Sequence, residues 1–407
     1  MKRFHKKIGI ICALLFCIYI MVGCEDAPTN KKQSTEQEES IEESLASEKY
    51  VSLSEAKEQI KKLEGQSIEG LHFPEVIQMP DVQSVSEIKL APYQWNDEKD
   101  MIQAISSLWR DYNTVNWDTV KETVSKAKSS DYFAKVKTDK KTGYVYAYDT
   151  VGYFVGDSMN ETELDISSCV AEYDFEWGDT ASETDIYPME DGEISVSDAV
   201  NYVENQLGKY LPPVEKNQFT YKIQHLYVLK NPDTGFHDYE MVIGRVYQGI
   251  ALDTCSDFNL PEGTYYEKIH CGAHMIAIMR HKGSLDSIVN GVESLNIETA
   301  SEAESVISPF WAVKQINQEI AHVGGLSFGY CGLFYMLEQD NGSKKDKEQG
   351  VYGQVSEEIP TSIRPMWVFM SKGDSASSNM TKDVHGASVL VDALDGSLWY
   401  YQSTTPY

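Results

Sequence analysis

The sequence predicts an α+β fold: helices packed on antiparallel sheets, with tandem α-β-meander units in the C-terminal half. Three observations carry this prediction. Apolar residues recur at helical spacing behind Ser/Thr capping boxes, and Tyr-rich runs elsewhere alternate with a period of two. Asp395-Gly396 between two apolar runs is a strong hairpin signal. The order of a helix followed by strands occurs twice, over residues 195–296 and 297–407.

Taken in order, four cations (Lys2, Arg3, Lys6 and Lys7) precede an apolar run from Ile8 to Val22, the layout of a secretory signal over residues 1–23. The run is about fifteen residues, short of the roughly twenty that a spanning helix needs. Its ending, Met21-Val22-Gly23-Cys24, resembles the lipobox of bacterial lipoproteins, with Met21 where Leu is usual. That resemblance implies a diacylglyceryl group on the Cys24 thiol and attachment to the outer face of the cell membrane. Residues 24–49 are acidic and nearly free of large apolar side chains, the composition of a disordered tether.

Loss of the four signal cations takes the net charge from −28 to −32, which disfavours nucleic acid and anionic lipid headgroups as partners. Cys12 and Cys17 leave with the signal. Cys169, Cys255, Cys271 and Cys331 remain, either as two disulfides or as buried thiols, and no C-x-x-C occurs.

Residues 50–190 form the first α+β region. Ser52 to Glu55 caps a helix over Leu53–Leu63, with Ala56, Ile60 and Leu63 on one face and Gly65 as its stop. Met101, Ile105, Leu108, Trp109 and Tyr112 predict a helix over Asp97–Tyr112, and another is expected over Asp118–Lys128. Strands are expected at Gly143–Asp149, Val151–Asp157 and Cys169–Gly178, their alternate aromatics forming one sheet face or a stacking platform. The acidic stretch 178–193 reads as a boundary.

Ser195 to Asp198 caps the next helix, whose stripe is Val196, Ala199, Val200, Val203 and Leu207. Strands follow at Gln218–Lys230, Asp238–Leu252 and Tyr265–Arg280. In the second copy, Thr299 to Glu302 reads as a capping box for a helix with Ala303, Val306 and Ile307 inward, interrupted or kinked at Pro309 and resuming with Val313, Ile316, Ile320 and Val323. Its strands are Leu326–Gln339, Ser362–Lys372 and Ala387–Tyr401, with a loop at 340–360.

The strand Pro365 to Phe369 (Pro-x-Trp-aliphatic-Phe) and the hairpin Val391 to Gly396 (Val-Asp-Ala-x-x-Gly) resemble the PepSY-type modules of bacterial envelope proteins. They are also similar to extracytoplasmic regulators of the YycH and YycI kind. The resemblance spans about 195–402 and implies binding or regulation of an envelope protein or peptide partner, with no catalytic residues and no cofactor.

Residues that invite chemistry are few. Gly325-Leu326-Ser327-Phe328-Gly329 fits G-x-S-x-G, with Asp383 and His385 following in triad order, but the elbow needs a strand before Ser327 and a helix after it. His270, Cys271 and His274 invite a metal, yet residues four apart on a strand lie about 13 Å apart and do not converge. Asp392 and Asp395 lack the alternating oxygen ligands of a calcium loop. The leading expectation is a non-enzymatic, lipid-anchored binding protein. A solute-binding lipoprotein serving a transporter and an envelope serine hydrolase are the alternatives.

Overall fold

The computed structural model describes residues 48–91, 125–127, 131–137, 142–148, 152–156, 168–176, 178–182, 184–210, 218–253, 265–272, 275–290, 295–320, 326–340, 360–372 and 385–402. The chain divides into two units, Met1–Ala46 and Ser47–Tyr407, and every described residue belongs to the second. The signal, Cys24, most of the tether, the helix expected over Asp97–Tyr112, Cys255, His274 and Asp383 therefore lie outside the described residues.

Strand β1 (Tyr50–Val51) leads into helix α1 (Leu53–Leu63). Its cap forms as expected: Ser52 Oγ accepts from the Glu55 amide at 3.2 Å, and Leu53, Ala56, Ile60 and Leu63 are buried. Gly65, at φ 66°, turns the chain out of the helix in the left-handed conformation that glycine adopts without strain. Short strands β2 (Ser67–Ile68) and β3 (Leu71–His72) precede β4 (Ser86–Leu90).

Next come β5 (Ser125–Ala127), β6 (Asp131–Lys137), β7 (Thr142–Tyr148), β8 (Gly152–Gly156) and β9 (Cys169–Asp174). The helix expected over Asp118–Lys128 is corrected in its described part, since Ser125–Ala127 pairs antiparallel with β6. The acidic boundary holds a hairpin, β10 (Ile186–Met189) and β11 (Gly192–Ser195). Helix α2 (Val196–Tyr210) starts where the sequence places it, with Ser195 Oγ accepting from the Asp198 amide at 3.1 Å. Val196, Ala199, Val203 and Leu207 are fully buried; each such side chain contributes about 1.5–3 kcal/mol on burial, Ala less.

Two long strands follow, β12 (Thr220–Lys230) and β13 (His237–Tyr247), then β14 (Ile250–Ala251), β15 (Lys268–Cys271), β16 (Met275–Met279) and β17 (Ser287–Asn290). The run Tyr265–Arg280 is thus two strands, and they belong to different sheets. Beyond them lie β18 (Ile297–Glu302) and β19 (Val306–Ile307), so the helix expected from Thr299 is corrected before Pro309, while its continuation with Val313, Ile316 and Ile320 inward is helical. Helix α3 (Pro309–Ile320) instead begins at Pro309, with Ser308 Oγ accepting from the Trp311 amide at 3.2 Å. Proline at the first helical position costs no hydrogen bond there. The chain closes with β20 (Leu326–Asp340), β21 (Ser362–Lys372), β22 (His385–Asp392) and β23 (Leu398–Gln402).

These strands form two large sheets and two small pairs. The ten-stranded sheet runs β5-β6-β7-β8-β17-β16-β13-β12-β9, with β14 on β13. The nine-stranded sheet runs β18-β4-β21-β20-β3-β2, with β15 on β20, β22 on β21 and β23 on β22. Residues 50–190 contribute strands to both sheets, and β15 leaves its neighbours to pair with β20. The fold is therefore α+β, with largely antiparallel sheets. Among the described residues no helix is long and apolar enough to cross a membrane.

Strand β20 is the spine. One edge pairs with β21 from Phe328 to Glu338. The other is covered piecewise by β3, by Gln78 at Gly332, by Leu252 and Asp253 at Tyr335, and by β15. Alternation along the strand divides its side chains between two faces. Phe334 and Met336 join Met366, Val368, Met370, Leu390, Trp399 and Tyr401 in one cluster. On the other face Trp367, fully buried, donates Nε1–H to the Ile307 carbonyl at 2.9 Å, just before α3.

Candidate functional site

None of the sequence candidates for chemistry assembles into a reactive centre among the described residues. Ser327 is the second residue of β20, exposed, and paired in parallel with His72, whose imidazole is hydrogen-bonded to Ser67 Oγ at 2.7 Å. The chain after Ser327 continues as strand to Asp340, so the turn into a helix that an elbow needs is missing. No described group of three or more His, Cys, Asp or Glu is arranged to hold a metal ion.

His270 is instead part of a packed face. Its ring meets Trp399 edge-on at 4.6 Å, Nδ1 lies 3.0 Å from Tyr401 Oη, and that same oxygen accepts the His270 amide at 3.2 Å. Nε2 is buried and meets no hydrogen-bond partner. Burial pushes the imidazole down to about 4, against the pull of Glu338 and with help from Arg364 and Lys268. Below its unfolded value of about 6.5 the unfolded chain takes up a proton that the folded chain refuses, so stability is lost as pH falls through that window. Urea midpoints at pH 7 and pH 5 should show wild type losing about 2 kcal/mol more than His270→Gln. Equal losses would place the titration elsewhere.

The cysteines follow the same pattern. Among the described residues no disulfide links Cys169, Cys271 and Cys331 to one another; Cys169 Sγ donates to the Ala171 carbonyl at 3.2 Å. Burial pushes the Cys271 thiol up to about 12 and the Cys331 thiol well above its usual value. Thiolate is the nucleophile, so in the native protein at pH 8 both should resist iodoacetamide for hours and react once urea is added. Rapid native labelling, located by peptide mass spectrometry, would contradict this.

A buried polar seam escaped the sequence reading. At the β12 bulge between Ile223 and His225, the Gln224 carboxamide lies over Gly244, in the space that an added Cβ would need. Its Nε2 donates to the Leu252 carbonyl at 3.0 Å. His225 stands between Asp174 and Glu176, each 3.3 Å away. Arg245 and Asp253 are also fully buried, and the Asp253 amide donates to the Tyr335 carbonyl at 2.8 Å, which ties one sheet to the other. The bulge itself leaves no signal in residue type.

The open feature of the molecule lies at the far edge of the nine-stranded sheet. Among the described residues strand β18 is its terminal strand, paired with β4 alone, and residues 298–302 are all exposed. Hydrogen-bonded and non-hydrogen-bonded residues alternate along an antiparallel pair. The Ala303 amide donates inward to Val85, Ser86 N turns away to Tyr335 Oη, and Ile88 also pairs with Ile363. The backbones of Ala300 and Glu302, opposite Ile88 and Ser86, therefore face outward. Where β18 ends, a cleft of about 260 Å³ opens. Its walls are mostly polar, with Ser52, Lys57, Gln83 and Glu304 among them, over the buried side chains of Leu53, Val82, Val85 and Val306. Lys57 is held by the Val82 carbonyl at 2.8 Å and Asp81 at 3.7 Å.

No protein-family model matches the chain, and no curated protein matches it. Among solved structures, a crystal structure of an uncharacterized protein from Eubacterium rectale ATCC 33656 is similar. It is 13% identical, with a TM-score of 0.49, over 89% of this chain and 99% of that one.

Proposed function

We propose that this protein is a lipid-anchored extracytoplasmic protein that binds, and so regulates, a protein or peptide partner at the cell envelope without chemistry of its own. Its address rests on the signal and the lipobox-like Cys24. Its two runs of helix and antiparallel strands, α2 with β12–β17 and α3 with β20–β23, are read as tandem modules akin to the PepSY type. The single observation that supports binding is the exposed edge of β18 beside the cleft. Small-molecule sites usually occupy about 300–1,000 Å³; this cleft is smaller and suits a side chain of a larger partner better than a free solute.

Affinity purification of the full lipoprotein after mild crosslinking in intact cells tests the reading. The expected result is an envelope protein joined to residues 298–306, in a membrane fraction that Cys24→Ala abolishes. Recovery of the lipoprotein alone would count against a partner, and membrane retention of Cys24→Ala would count against the anchor.

A further inference from the structure

We infer that the outer edge of β18 receives an extended, lysine- or arginine-bearing segment of a partner protein as an added β-strand. This rests on the binding reading above and names the partner's chemistry. Edge strands present unpaired N–H and C=O groups, and natural proteins usually blunt them with short length, proline, charged side chains, bulges or a covering element. β18 carries Glu298, Glu302 and a register shift between Ile297 and Thr299, but from Thr299 to Glu302 its pairing with β4 is regular, it holds no proline or lysine, and residues 298–302 are exposed.

One rung of this edge is already used. The Gln218 carboxamide donates Nε2–H to the Ile297 carbonyl at 3.3 Å and accepts the Ile297 amide at 2.9 Å, the paired exchange that a neighbouring strand would make. The next outward rungs, Ala300 and Glu302, lie about 7 Å apart and meet no described residue on that side. An incoming strand continues the pairing that Gln218 begins, then reaches the cleft bounded by Ala303–Val306.

Charge selects the occupant. Glu298, Glu302 and Glu304 line this path; among the described residues the nearby cations are Lys89, opposite Thr299 on β4, and two already paired, Lys57 with Asp81 and Arg364 with Glu87. The chain's own tether has eight acidic against three basic residues over 25–49, and a second copy would set Glu298 and Glu302 against their like. Both are repelled; a basic strand is attracted, with a cation opposite Glu302.

The test uses the full chain and a rhodamine-labelled peptide of four Lys-Val repeats, read by fluorescence anisotropy. Saturable binding is expected, with none by the Glu-Val counterpart. Ala300→Pro removes an outward amide that the fold does not use, so it should weaken binding at least tenfold at unchanged Tm. Glu302→Lys should weaken it at least fivefold. Should the proline variant unfold, a Lys-Val peptide N-methylated at every residue probes the same backbone pairing on unaltered protein and is expected not to bind. Equal binding by the methylated or the Glu-Val peptide would overturn the inference. So would a dimer lost in Ala300→Pro by sedimentation, or a tenfold gain in peptide affinity on deleting residues 26–46. Failure of every peptide while crosslinks to residues 298–306 persist would refute the strand chemistry and leave the partner reading standing.

Discussion

Arg364→Met should destabilise the protein by about 3–5 kcal/mol at pH 7, measured as a shift in urea unfolding. The guanidinium reaches three carboxylates at once: Asp392 at 2.7 Å, Glu87 at 2.6 Å and Asp395 at 3.1 Å. Glu87 and Asp395 are about half exposed and lose little when released into water. Asp392 is 1% exposed, and its Oδ1 also accepts the amides of Leu394 and Asp395 in the hairpin turn. Removing Arg364 leaves that carboxylate buried with no cation beside it, which is the dominant cost. Asp392→Asn keeps a side-chain oxygen for the turn and removes the charge. The double variant should therefore recover a large part of the loss, and a double variant no better than Arg364→Met would show that the guanidinium acts through packing instead.

Gly332→Ala should cost about 3 kcal/mol, within the range for forced overpacking of a close-packed site. A Cβ there would sit 2.5 Å from the Phe334 ring and 2.7 Å from the Gln78 carbonyl oxygen. The ring has room to turn only at the expense of its cluster, and the carbonyl is backbone. Gln78 is held by its amide to the Cys331 carbonyl at 2.8 Å and accepts the Leu333 amide at 3.3 Å. An added methyl pushes the 73–82 segment off β20 and breaks both bonds. Thermal unfolding reads the effect, and a Tm within a degree of wild type would mean that Gln78 moves freely.

What was legible in the sequence was local. Ser52 and Ser195 announce their helices because a cap needs only a side-chain oxygen and an amide three residues on. Asp395-Gly396 announces its turn, and Gly396 adopts φ 84° under Trp311, where a Cβ would come within 2.6 Å of the ring. The same logic misled at Thr299 to Glu302, a capping box in letters that pairs with β4 as a strand. Nothing within five residues records that partner, 210 to 216 residues away by the register. His270 and the Met275 strand read as one element because the switch between sheets at Gly272 is made by distant partners. The cleft was invisible for the same reason, since its walls come from 52–57, 82–85 and 303–306.

The piecewise cover of β20 carries a kinetic consequence. Contacts between residues far apart in sequence slow folding, because loop closure is unfavourable until the contacts form. Ser86 meets Tyr335 and Gln59 meets Ser308 across 249 positions, and Glu87 meets Arg364 across 277. The spine strand enters the chain late, yet β3, Gln78 and Leu252 all precede it and have no complete seat without it. During synthesis the strands of the ten-stranded sheet can pair with one another as they emerge, whereas β3, Gln78 and Leu252 must wait for a strand that has not yet been made.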